Sequence, residues 1–73
     1  MKHATFVICI DNSEFPVSLE MRKLYRMIPD AAAEKASQIR VVDESGEDYL
    51  YPASCFVEAD LQGKALDAVG RVA

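Results

Sequence analysis

Four carboxylates, Asp43, Glu44, Glu47 and Asp48, fall within six residues and run directly into Tyr49 and Tyr51. Acids this dense can hold a cation or exchange a proton with a substrate. A calcium loop, however, needs oxygen ligands in a fixed order over about twelve residues. This run lacks that spacing. Its Ser45-Gly46 centre is turn chemistry, so a solvated hairpin tip is the simpler reading. The same tip can attract a basic partner surface, because clustered charge steers association. Arg22, Lys23 and Arg26 form a small basic patch. It suits either solubility or a contact with the acidic turn of a neighbouring copy, although exposed pairs contribute only about 0–1 kcal/mol.

The other reactive side chains are isolated. His3 is the only histidine and lies near the terminus, where chains fray. A catalytic histidine needs a nucleophile and an orienting group within hydrogen-bond reach, and no motif supplies them. Cys9 and Cys55 have no neighbouring Cys or His, whereas zinc takes four ligands, usually in paired clusters. Small buried hydrophobes are the expected role of both, with a disulfide as the alternative. Three scattered glycines build no phosphate loop. The expectation is a protein without catalytic chemistry, cofactor or metal.

Composition narrows the class. With 73 residues, 51% of them apolar, the chain is expected to form one small domain over 1–73. Twelve acids against eight bases give a net charge of −4. That opposes non-specific nucleic-acid binding and docking on anionic membranes. The run Phe6 to Ile10 is too short to span a bilayer, and Lys2 alone makes a poor leader n-region. A cytoplasmic location is expected.

Several elements must position these groups. Thr5 to Ile10 is β-branched, aromatic and apolar on both faces, which predicts a strand covered on both sides. Asp11 to Glu14 breaks it, and Phe15-Pro16 keeps the next stretch extended. Leu19 to Ile28 predicts a second strand. Lys23, Tyr25 and Met27 share one face, Arg22, Leu24, Arg26 and Ile28 the other; a helix is the competing reading. Pro29 ends either. Asp30 suits the N-cap of a short helix through Ala31-Ala32-Ala33-Glu34. Ile39 to Val42 and Asp48 to Tyr51 form a hairpin around a turn whose Gly46 suits a positive φ. Pro52 ends that strand, Ala53-Ser54-Cys55 makes a corner, and Phe56-Val57-Glu58 is a last short strand. Asp60 suits the cap of a final helix, with Leu61, Ala65, Leu66, Val69 and Val72 broadly on one face.

The order of these elements resembles a Src-homology-three-like barrel, over roughly Leu19 to Ala59. Leu19 to Ile28 is similar to the family's leucine-led diverging turn and following strand. Ile39 to Tyr51 is similar to its distal hairpin. Tyr51-Pro52-Ala53-Ser54-Cys55-Phe56-Val57 is similar to its aliphatic–Pro–Ser–Asn–Tyr–Val corner. The resemblance implies an all-β, five-stranded small barrel over about 4–59, with a short helical insertion and a C-terminal helix over about 60–72. It also places Pro52 and Phe56 at groove positions, where peptide-binding members take polyproline ligands. The family's tryptophan has no counterpart here, so the resemblance carries the fold and not polyproline recognition. The string from Asp43 to Pro52 also resembles one in short bacterial stand-alone proteins, which implies a bacterial source.

Three functional expectations follow. The first is a protein-interaction module binding a protein or peptide through Tyr49, Tyr51, Pro52 and Phe56, flanked by Asp43 and Glu44. The second is a structural homo-oligomer, paired through its C-terminal helix or an edge strand. The third is weak nucleic-acid binding through the tyrosine face and the basic patch, which the net charge opposes. The tyrosines carry two readings, an exposed stacking platform or core residues whose hydroxyls reach water.

Overall fold

The structure, a computed structural model, describes residues 6–59. β1 (Phe6–Cys9) lies inside the sheet, between β2 (Leu24–Ile28) and β5 (Phe56–Ala59). Burial along the strand covers both of its faces, which accounts for its unbroken apolar sequence. Phe6, Val7 and Cys9 are buried and Ile8 is partly buried.

β2 alternates. Tyr25 and Met27 point into the core, while Leu24, Arg26 and Ile28 are half-buried. The strand is shorter than the sequence suggests, because Leu19 to Lys23 is turn and loop rather than strand. Two observations account for this. Leu19 is drawn into the core at 1% exposure, with its N–H donating to the Phe15 carbonyl at 3.0 Å. Arg22 then adopts a φ of 62°, outside the β region.

Asp30 caps α1 (Ala31–Lys35) as its residue type predicts, accepting a hydrogen bond from the Ala33 N–H at 3.0 Å. β3 (Gln38–Val42) and β4 (Asp48–Pro52) form the expected antiparallel hairpin, with Val41 opposite Tyr49 and Ile39 opposite Tyr51. Gly46 closes the turn at a φ of 86°. Pro52 ends β4 on an edge of the sheet, where its missing N–H breaks no ladder.

All neighbouring strands are antiparallel, in the order β4-β3-β2-β1-β5. Leu24 to Arg26 of β2 pair with β1, and Met27 and Ile28 pair with β3, so β2 serves both halves of the sheet. The chain passes from one edge strand to the other through a single 3-10 turn, Ala53–Cys55. Four strand spacings in a flat sheet would separate those edges by roughly 19 Å. The few residues between Pro52 and Phe56 reach at most about 15 Å. The sheet is therefore curled. Tyr51 and Phe56 meet within the curl, their ring centroids 6.2 Å apart. The core cluster also contains Val7, Cys9, Leu19, Tyr25, Met27, Val41 and Cys55. The expected barrel is thus met as an open, curled five-stranded sheet, with no ladder between β4 and β5 among the described residues. The expected C-terminal helix over 60–72 lies outside those residues, as do His3 and Thr5. No helix among them is long and apolar enough to cross a membrane.

Candidate functional site

The hairpin turn builds a polar cradle before it builds a surface. Asp43 leaves β3 pointing inward and is 7% exposed. Its Oδ1 accepts from the Ser45 N–H at 2.8 Å and the Ser45 hydroxyl at 2.5 Å. Its Oδ2 accepts from the Tyr51 hydroxyl at 2.5 Å. Burial pushes the Asp43 carboxyl toward protonation, but the bonds from Ser45 and Tyr51 outweigh it and hold the group below its ordinary value. Burial, and then the bond to Asp43, pushes the Tyr51 phenol up. The pair is therefore a carboxylate held by a neutral phenol.

Glu44 turns the other way. Its Oε2 accepts from Lys23 Nζ at 2.6 Å and from the Tyr25 hydroxyl at 2.5 Å. The Tyr25 oxygen in turn accepts the Glu20 N–H at 2.7 Å. The Lys23 and Tyr25 hydrogen bonds hold the Glu44 carboxyl below its usual range. Burial, followed by the bond to Glu44, drives the Tyr25 phenol well above its own. The basic patch and acidic turn thus meet within one chain, through Lys23 and Glu44. A further tie comes from the Glu44 N–H, which donates to the Ser18 carbonyl at 3.1 Å and pins the β1–β2 loop to the hairpin.

That tie leaves an open groove of about 400 Å³ between loop and hairpin. Phe15 and Tyr51 line it as an edge-to-face pair, with centroids 4.9 Å apart. Asp43, Tyr49 and Leu50 form the hairpin side, and Ser18 and Ser45 add hydroxyls. Tyr49 is 50% exposed and donates its hydroxyl to Glu47 Oε1 at 3.1 Å.

The residues expected to share one binding face are therefore divided. Tyr49, Tyr51 and Asp43 meet at the groove. Pro52 lines a separate hollow of about 160 Å³ with Asp11, Glu14 and Ser54. Phe56 is core, 7% exposed and edge-on to Tyr25 at 6.4 Å. Glu44 is committed to its internal partners. A continuous aromatic face along the Pro52 corner is not present, because β5 must bury Phe56 to join the sheet. Tyr25 and Tyr51 follow the core reading of the tyrosines, and Tyr49 the exposed one. Phe15, Ser18 and Leu50 were not singled out by the sequence as site residues. The available signal was Phe15 itself, the one aromatic residue in the loop between β1 and β2.

Cys9 and Cys55 are free and buried. Burial raises the Cys55 thiol, which lowers its reactivity. Among the described residues no cluster of His, Cys, Asp and Glu could hold a metal ion. No protein-family profile matches this chain, and neither a curated protein nor a solved structure matches it.

Proposed function

We propose that the chain is a non-catalytic protein-interaction module built on a small Src-homology-three-like barrel. Its recognition surface in this reading is the Phe15–Tyr49–Tyr51 groove. The observation that carries it is the half-exposure of two large residues, Tyr49 at 50% and Leu50 at 42%, beside a groove with aromatic walls. Aromatic anchors next to a concave surface are what recognition sites use. Support for the barrel comes from the curled strand order, the hairpin at Gly46 and the Pro52 corner. Two free thiols accord with a reducing, cytoplasmic compartment.

The test is crosslinking from a photoreactive side chain at Leu50, compared with the same chain carrying Tyr49→Ala. Partners captured from Leu50 and lost with Tyr49→Ala support the groove. Partners captured equally well by both chains place recognition elsewhere.

One observation favours a second reading, the homo-oligomer. Both edge strands of the open sheet lack a neighbour among the described residues, and Ile10 and Val57 are each 46% exposed near the β5 edge. Unpaired edges template pairing with another chain. Light scattering at high concentration decides it: a strict monomer removes this reading.

A further inference from the structure

We propose that the groove takes the side chain of an arginine presented by an extended partner peptide. The inference rests on the interaction-module reading and adds the chemistry of the ligand.

Charge matching around the hairpin carries it. Lys23 lies against Glu44 at 2.6 Å, and Arg40 bridges Asp30 and Asp48 at 3.0 Å each. Asp43 and Glu47 are different. Among the described residues no cation pairs with either, and their side chains accept hydrogen bonds from Ser45, Tyr51 and Tyr49, all neutral donors. Among the described residues, two carboxylates without a cationic partner therefore stand at or next to the groove, in a chain of net charge −4.

Their backbones close the hairpin mouth, where the Asp43 N–H donates to the Glu47 carbonyl at 3.1 Å. Asp43 lines the groove, and Glu47 holds the hydroxyl of Tyr49, which lines it too. A metal ion is a poor fit, since hard cations take six or more oxygens and among the described residues no group of His, Cys, Asp and Glu could hold one. The remaining lining is aromatic, from Phe15, Tyr49 and Tyr51. Rings attract organic cations through their negative faces. A guanidinium is planar, stacks on such rings and donates to carboxylates in a fixed fork. Arginine thus satisfies both the aromatic walls and the carboxylates.

The experiment is a titration of the isotope-labelled full chain, followed by amide chemical shifts. The probes are acetyl-Gly-Ser-Arg-Ser-Gly-amide and the same peptide with citrulline, a neutral isostere, in place of arginine. The arginine peptide is expected to give saturable shifts at the amides of Ser18, Ser45 and Tyr49. The citrulline peptide is expected to bind about tenfold more weakly, the factor that roughly 1.4 kcal/mol of cation recognition supplies. Glu47→Gln should weaken the arginine peptide several-fold while leaving the thermal midpoint unchanged or higher. Equal binding of both peptides in the groove overturns the cation preference and leaves the module reading standing. Binding that Glu47→Gln does not alter, or shifts spread over the acidic surface away from the groove, also overturns it. Absence of binding by both peptides overturns it too, and crosslinking from Leu50 then judges the module reading separately.

Discussion

Tyr51 and Asp43, eight positions apart, close the mouth of the β3–β4 hairpin, the Tyr51 hydroxyl donating to Asp43 Oδ2 at 2.5 Å. The phenol ring packs between Phe15 and Phe56, so one side chain fills the core and satisfies a buried acid. Tyr51→Phe keeps the ring and removes only the donor. A hydrogen bond to a charged group is worth about 1.5–3 kcal/mol, and that loss is expected in urea denaturation at neutral pH. Tyr49→Phe is the control, because its hydroxyl bond to Glu47 is exposed. It should change stability by less than about 0.5 kcal/mol. Equal losses from the two variants would refute the assigned roles.

The same pair predicts a pH dependence. The folded Asp43 carboxyl sits below its unfolded value. A depressed carboxyl stabilises the fold above its unfolded pKa, and that contribution is lost as pH falls through the folded value. Glu44 and Asp30 shift in the same direction, so the wild type alone does not isolate Asp43. The difference between wild type and Asp43→Asn does. It should be widest near neutral pH and close below about pH 4, the ordinary carboxyl value. A gap that stays constant down to acid pH would mean that the Asp43 charge is not what the cradle stabilises.

These polar ties also mark the limit of what the sequence discloses. Strand positions were legible from β-branched runs in β1 and from the apolar alternation of Tyr25 and Met27. The capped helix was legible from Asp30 before three alanines, and the hairpin from Gly46. Each of those signals is local. The groove depends on Ser18 meeting Glu44, and the internal ion pair on Lys23 meeting Glu44, contacts that join the β1–β2 loop to a distant turn. No periodicity records such pairings. Phe56 shows the converse problem. As an aromatic beside Pro52 it looks like a surface anchor, but the curl of the sheet sends it into the core at the start of β5.

Two backbone positions give opposite expectations from one cause. Gly46 has a φ of 86°, and a Cβ added there meets no atom within 4 Å. Any cost of Gly46→Ala is therefore conformational, about 1–2 kcal/mol for an L-residue in the left-handed region. Ser37 follows the α1 cap with a φ of 60° and already bears that strain. Its N–H donates to the Glu34 carbonyl at 3.0 Å, and its carbonyl accepts from the Ala53 N–H at 2.9 Å, bonds that glycine keeps. Glycine is the favoured residue at such a helix end. Ser37→Gly should gain about 0.5 kcal/mol, after subtracting the entropy a glycine loses on folding. That corresponds to a thermal midpoint roughly 2–4 °C higher for a domain of this size. A lower midpoint for Ser37→Gly would show that the strain is relieved by contacts other than these.

Phe56 and Tyr49 separate core from surface most sharply. Phe56 is 7% exposed and packs edge-on against Tyr25 and Tyr51. Truncating a buried phenylalanine removes its transfer energy and leaves a cavity, together about 3–5 kcal/mol. Small domains have only about 5 kcal/mol or little more to lose, so Phe56→Ala should unfold much of the population at 25 °C, seen as loss of dispersed amide signals. Tyr49 is half-exposed, and its ring lines the groove instead of the core. Tyr49→Ala should cost about 1 kcal/mol or less, retain the dispersed spectrum and lose only groove binding. Were Phe56→Ala to stay folded with near-native stability, the burial of Phe56 would be wrong and the Pro52 corner would regain its claim as the recognition face. The ordering of these two variants, large for the buried ring and small for the exposed one, follows from the curl that joins β4 to β5 through three residues.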